Sequence, residues 1–274
     1  MMKGCAVATI KELFDLDGKV AAITGGARDL GLDIGDVLAE AGCDLVISSR
    51  TLASAQKTAG ELSERHGRDV LPLALNVADH AEDKQFIETA HEWKGHIDIL
   101  VNNAGGSEGG GECHLFKRDP KDAVNLIEIN LIGTLHCCQE ASRHMADQGY
   151  GKIINIASIA GVMGRDRRMY ERNRMKGQPI DYAAAKAGVI GMTMDLAGLL
   201  SPMGVRVNAI SPGGFGPRQL SDGFDHDYSD RTPLGHMGRD GLDLKGAALF
   251  LAAPASDYVT GQNLIVDGGF SIWH

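Results

Sequence analysis

The chain has no excess of positive charge, no long apolar run, no paired cysteines and no closely spaced histidines. Each absence removes a class of function. Lys and Arg number 27 against 36 Asp and Glu among 274 residues, a formal net charge of −9. Nucleic-acid binding needs a basic field to attract phosphates, so no nucleic-acid partner is expected. Residues 1–19 lack the apolar core of a signal peptide, and no run approaches the roughly 18 apolar residues of a membrane span. The expectation is a cytoplasmic protein with no membrane partner. The five cysteines, Cys5, Cys43, Cys113, Cys137 and Cys138, form no Cys-x-x-Cys pair, and their odd number fits reduced thiols. None of the ten histidines lies three or four residues from another. The helical spacing of metal ligands is therefore missing, and no metal site is expected.

Glycine is abundant, at 36 residues, roughly twice ordinary usage. Without a Gly-x-y period it serves tight turns and close backbone approach. Short apolar runs at residues 19–24, 44–48, 70–75, 97–101, 152–157 and 205–210 read as strands. Helical patterns lie between them, from Leu30, Ile34, Val37, Leu38 and Ala41 to the long segments 122–146 and 181–200. This alternation predicts a doubly wound, Rossmann-type parallel α/β sheet of about seven strands with helices on both faces. No repeat, low-complexity tract or linker interrupts it, so one domain over residues 1–274 is expected. Residues 161–179 and 213–241 break the alternation. They read as a substrate-side insertion and a mobile substrate loop, because long irregular loops in compact domains are usually functional or disordered.

Two motifs carry chemistry. The turn Thr24-Gly25-Gly26-Ala27-Arg28-Asp29-Leu30-Gly31 joins a strand to a helix, where a pyrophosphate would meet free backbone N–H groups. A tight turn without a ligand explains the same glycines. Tyr182 and Lys186 stand four apart at the start of a helix and share a face. A phenol acts as a base near neutral pH only if its ionised form is favoured, and a neighbouring ammonium does this. Taken alone, such a pair is more often an ordinary surface pair.

Together, and in order at strand ends, these motifs resemble the short-chain dehydrogenase/reductase family. Asn102-Asn103-Ala104-Gly105, Asn130, Ser158, Pro212-Gly213 and the ending Val266-Asp267-Gly268-Gly269 extend the match over about residues 16–269. The resemblance implies that Ser158 hydrogen-bonds the substrate oxygen and Tyr182 exchanges the proton with it. Lys186 would lower the Tyr182 pKa and hold the nicotinamide ribose, and Asn130 would position a relay water. It further implies a dinucleotide site formed by Gly25, Arg28, Asp29, Leu30 and Arg50, with Asn76 and Val77. Asn103, Ala104, Gly105, Tyr182, Lys186, Pro212, Gly213 and Phe215 would complete that site. Tyr170 is read as a decoy, because its partner four residues on is Arg174.

The chain departs from the family pattern in three places. Asp29 stands where glycine is usual. It is expected to turn away and cap the helix, with weakened cofactor affinity as the alternative. Pro217 replaces a threonine that often touches the carboxamide. The gap from Ser158 to Tyr182 is longer than usual, and its residues 165–176 hold Arg165, Arg167, Arg168, Arg172, Arg174 and Lys176 against two acids, Asp166 and Glu171. Arginine suits carboxylate and phosphate oxygens. Arg165 and Arg168 are therefore taken as substrate contacts, and a polyhydroxylated or anionic small molecule such as a sugar acid as the substrate. A 2′-phosphate wants arginine, and Ser49-Arg50, with Arg28, points to NADP(H) before NAD(H). The family further implies a homotetramer formed through the helices carrying Asn130 and Lys186, and the apolar tail from Phe270 to Trp273 is expected to be buried. The alternatives are a 3-oxoacyl-carrier-protein reductase and, since some relatives only bind nucleotide, a non-catalytic sensor.

Overall fold

The computed structural model describes residues 8–107, 111–216 and 222–273. After a short helix α1 (Ile10–Leu13), the chain alternates β1 (Val20–Thr24), α2 (Asp29–Glu40), β2 (Asp44–Ser49), α3 (Leu52–His66), β3 (Val70–Ala74), α4 (His80–Lys94) and β4 (Ile99–Asn102). It continues through α5 (Pro120–Ile127), α6 (Gly133–Gln148), β5 (Gly151–Ile156), α7 (Arg167–Arg172), α8 (Ile180–Leu200) and β6 (Val205–Pro212). Then come β7 (Phe215–Gly216), α9 (Asp222–Ser229), β8 (Gly238–Arg239), α10 (Lys245–Ala252) and β9 (Asn263–Val266). Helices α3, α4 and α6 end where glycine permits a left-handed residue, at Gly67 (φ 65), Gly95 (φ 82) and Gly149 (φ 72).

Seven strands form one sheet in the order β3-β2-β1-β4-β5-β6-β9, with every pair parallel. The alternation of side chains along each strand divides the core in two. Ala21 and Ile23 of β1 face one layer, with Ile34 and Leu38 of α2, Leu62 of α3 and Leu251 of α10. Val20 and Ala22 face the other, with Phe86 of α4, Met145 of α6 and Leu200 of α8. A parallel sheet buried on both faces explains why its strands read as unbroken apolar runs. Strand order reverses between β1 and β4, so the connections leave in opposite directions there and open a crevice at the carboxyl ends.

The long helix expected over residues 122–146 is two helices joined by a π-helical turn, Glu128–Ile132, with Asn130 buried in it. The two irregular segments each contain a helix among their described residues. Residues 161–179 contain α7, residues 213–241 contain α9, and the two pack together through Met169, Phe224, Tyr228 and Met237. By length and mean hydropathy, Ile180–Met203 is apolar enough to cross a membrane, although Asp181, Lys186 and Asp195 keep it from being an unbroken apolar run. Packing accounts for part of that apolarity: α8 lies on β6 and buries Ala185, Val189, Ala197 and Leu200. The apolar tail divides, with Phe270 stacked on Tyr228 at 4.3 Å between centroids while Ile272 and Trp273 are exposed.

Close backbone approach sets the glycine requirements. A methyl group at Gly31 would overlap the Gly25 carbonyl oxygen and the Asn103 carboxamide, whereas one at Gly60, on α3, meets nothing within 4 Å. Gly31→Ala should therefore cost about 1–3 kcal/mol of overpacking in urea denaturation. Gly60→Ala should stabilise by about 0.5–1 kcal/mol, because alanine loses less backbone entropy in a helix. Equal effects of the two substitutions would contradict the packing at the glycine turn.

Candidate functional site

A cleft of about 850 Å³ runs along the carboxyl ends of the strands. Its first half is organised by Thr24, the last residue of β1. The Thr24 hydroxyl oxygen accepts hydrogen bonds from the Asn103 and Ala104 backbone N–H groups at 3.1 and 3.0 Å. The Asn103 carboxamide donates back to the Gly25 carbonyl at 2.9 Å. These bonds pin the ends of β1 and β4 together. Gly25 has φ 65, and a Cβ there would lie 3.1 Å from the Ala104 Cα, so the turn requires glycine twice over. Arg28 at the N-cap of α2 makes no side-chain capping bond. The first N–H groups of that helix are thus left uncapped by Arg28, and Asp29 and Leu30 line the cleft where a pyrophosphate would need such donors.

All the positions expected to hold a dinucleotide line this cleft, from Gly25, Arg28, Asp29 and Leu30 through Arg50, Asn76 and Val77 to Pro212, Gly213 and Phe215. Pro217 lies outside the described residues. The expected Asp29 cap is not made. Asp29 is itself the first helical residue, at φ 51, one position too late to act as the N-cap. Its carboxylate lies 3.4 Å from the Arg28 guanidinium. The usual glycine is explained by the left-handed backbone, which Asp tolerates at some cost. The residues fit a dinucleotide, with this carboxylate as the one unfavourable charge.

The second half of the cleft gathers Ser158, Tyr182 and Lys186. Gly161 makes this possible, because a Cβ there would lie 2.6 Å from the Lys186 carbonyl carbon; the turn carrying Ser158 rests directly on α8. Ser158 Oγ accepts from the Ala160 N–H at 3.1 Å and keeps its own proton to donate. The Lys186 side chain is buried, its Nζ donates to the Ile156 carbonyl at 2.8 Å, and it sits 5.8 Å from the centroid of the Tyr182 ring. Burial lowers the Lys186 ammonium to about 8.

Asn130 does not line the cleft. Its carboxamide exchanges two hydrogen bonds with the Gly106 backbone, at 2.8 and 3.0 Å, and donates a third to Leu126. A Cβ on Gly105 would be 2.6 Å from Asn130 Oδ1 and 3.5 Å from Lys186 Nζ, so Asn130 stands behind that loop, beside the lysine. The π-helical turn is what aims it there.

The insertion forms the outer wall. Arg165 lines the cleft, partly buried, and donates to the Gln178 side chain and to the Pro179 carbonyl. Arg168 points outward instead. Its guanidinium is held by Asp166, which also binds Arg231 at 2.6 Å, so local pairing inside the chain takes it from the cleft. Arg172 is likewise held by Asp227 at 3.2 Å. Three contributors escaped the sequence reading. Tyr170 faces the cleft although its spacing to Arg174 led nowhere. Tyr228 accepts a 2.5 Å bond from the Gly214 N–H and lines the cleft in one cluster with Phe224 and Tyr170. Arg118, nearly buried, clamps Asp181 at the start of α8 through bonds of 3.2 and 2.7 Å. None of the three has a local pattern that separates it from an ordinary core or surface residue.

The family model described as enoyl-(acyl carrier protein) reductase matches residues 25–271. A 3-oxoacyl-[acyl-carrier-protein] reductase of Vibrio harveyi is 35% identical over 93% of this chain and 98% of its own. An NADP-dependent mannitol dehydrogenase of Hypocrea jecorina is 32% identical over 95% of each chain. Among solved structures, a gluconate 5-dehydrogenase of Burkholderia cenocepacia in complex with NADP and tartrate superimposes with a TM-score of 0.87. It is 35% identical and covers 97% of this chain and 100% of its own.

The misplaced carboxylate at the glycine turn has a measurable consequence. Asp29→Gly should tighten dinucleotide binding several-fold, on the order of the tenfold that 1.4 kcal/mol provides. The gain should be larger for NADPH than for NADH, because the carboxylate beside Arg28 is removed. Fluorescence titration of both cofactors checks this; unchanged or weaker binding would show that Asp29 does not oppose the phosphates.

Proposed function

The chain belongs to the short-chain dehydrogenase/reductase family and is an NAD(P)-dependent oxidoreductase, and from that premise we propose that it interconverts a secondary alcohol and a carbonyl on a sugar or sugar acid. NADP(H) is the preferred cofactor in this reading, with NAD(H) the weaker alternative. The observation that carries the reaction is the buried Lys186 ammonium beside Tyr182, with Ser158 in the same cleft. When bound, the nicotinamide supplies or accepts the hydride. Ser158 donates a hydrogen bond to the substrate oxygen. Tyr182 gives its phenolic proton to that oxygen during reduction and takes it back during oxidation. The Lys186 charge favours the phenolate as the proton leaves. Asn130 acts through the 105–106 loop, which it holds beside Lys186 and against which a relay water would sit.

The cofactor preference rests on Arg50 and Arg28, which line the cleft beside Ser49 where an acid would select a free ribose hydroxyl. The substrate reading rests on Arg165, the one arginine of the insertion that lines the cleft, with Lys176 beside it. The solved relative that holds tartrate, a hydroxylated dicarboxylate, supports it. The apolar side of the same wall, Met169, Phe224, Tyr228 and Met237, favours a second reading, a 3-oxoacyl-carrier-protein reductase. A homotetramer accords with the apolar side chains left exposed on α6 and α8, Leu135, Met194 and Leu199.

Tyr182→Phe should lower turnover by at least about a hundredfold while NADPH binding is retained. Carbonyl reduction needs both Tyr182 and Lys186 protonated. Since Lys186 titrates at about 8, kcat/KM for reduction should fall as pH rises through that value. A profile flat to pH 10, or near-normal turnover by the Phe variant, would reject the assignment. Arg165→Ala should raise KM for a sugar acid about tenfold or more, as loss of a charge-assisted hydrogen bond would, and change KM for the neutral polyol little. Equal effects, or faster turnover of acyl thioesters than of sugar acids, would favour the second reading.

A further inference from the structure

We propose that His80, Asp83 and His136 form a binding site for a divalent ion of the zinc type, outside the cleft, that ties α4 to α6. His80 and Asp83 lie three residues apart in the first turn of α4, so both project from one face. His136 lies in the first turn of α6. The two helices meet here because Gly133 sits against the Val77 carbonyl, where any Cβ would overlap it. The His80 and His136 rings stand 4.0 Å apart, and one donor atom from each of the three residues falls within 4.8 Å of the others.

Asp83 is the observation that points to a cation. Its side chain is fully buried, and its Oδ2 has no hydrogen-bond partner. That oxygen faces the His136 Nδ1 at 3.6 Å. Its other oxygen, Oδ1, accepts from the Cys137 thiol at 3.4 Å, which fixes the carboxylate plane so that Oδ2 turns toward the imidazoles. A buried carboxylate oxygen left unbonded is costly, and a bound cation removes the cost.

Two imidazole nitrogens and one carboxylate oxygen are a zinc-type donor set. Bonds of about 2.0–2.1 Å require the donors to draw together, to roughly 3.4 Å in a tetrahedron. His80 is exposed and has the freedom to swing inward. Its open side leaves a coordination position for water. Val77, which lines the cleft, lies two residues before the Asp79 cap of α4, so the ion would brace the element directly behind the cofactor site.

Calorimetric titration of chelator-treated protein with Zn2+ tests the site. About one ion should bind per chain with a micromolar or tighter Kd, and a hundredfold excess over Kd should raise the melting temperature by about 5 °C. His80→Ala, a surface change that leaves the core intact, should weaken binding at least tenfold and remove the thermal shift. His136→Ala should do the same. His91→Ala changes the other imidazole pair between these helices, stacked on His144 at 4.1 Å, and should leave binding unchanged. No saturable Zn2+ binding, or binding that survives His80→Ala undiminished, would overturn the proposal.

Discussion

A parallel sheet must be covered on both faces, and the point where its covering helices change sides is the constraint on which this structure depends. Between β1 and β4 the connections leave in opposite directions, and the cleft opens at the carboxyl ends of these strands. The opening is stabilised by backbone contacts rather than by side-chain bulk. The Thr24 hydroxyl receives two N–H groups from the end of β4, and Asn103 returns a bond to the glycine turn. Gly25 and Gly31 permit the close approach that these bonds demand. Everything proposed for a dinucleotide rests on that platform.

The proton-transfer end is built on the same principle, with glycine bringing backbone segments together so that polar groups converge. Gly161 seats the Ser158 turn on α8, and Gly105 leaves room for both Asn130 and Lys186. The lysine is costly to bury, and its hydrogen bond to Ile156 recovers only part of its lost hydration. Its lowered affinity for a proton is the remaining cost, and it places the lysine's titration close to neutral pH. Arg118 gripping Asp181 at the head of the same helix adds a rigid support from the segment after β4.

The insertion shows why charge composition is a weak guide to a binding surface. Six basic residues between Ser158 and Tyr182 read as one anion-binding cluster. In the folded chain most of that charge is directed elsewhere, since Asp166 and Asp227 hold Arg168 and Arg172. What remains at the cleft is Arg165 and Lys176, together with the apolar cluster that α7 and α9 build. Such a pocket pairs a small charged end with an apolar side, and the two substrate readings differ in which of these the substrate uses.

The order of strands and helices, the glycine turn and the Tyr182–Lys186 pair were legible in the sequence because each is a local pattern. Periodicity reports burial on one face, glycine reports backbone conformation, and a spacing of four reports a shared helix face. Element boundaries came close for the same reason, with the segment 181–200 observed as α8 at Ile180–Leu200. Tertiary structure alone decided what depends on residues distant in sequence. It put Asn130 behind the Gly105 loop, turned Arg168 away, brought Tyr170 and Tyr228 into one apolar cluster at the cleft, and set His136 beside a carboxylate 53 residues earlier, at Asp83. A side chain's partners across the fold are set by packing distances that no local spacing encodes.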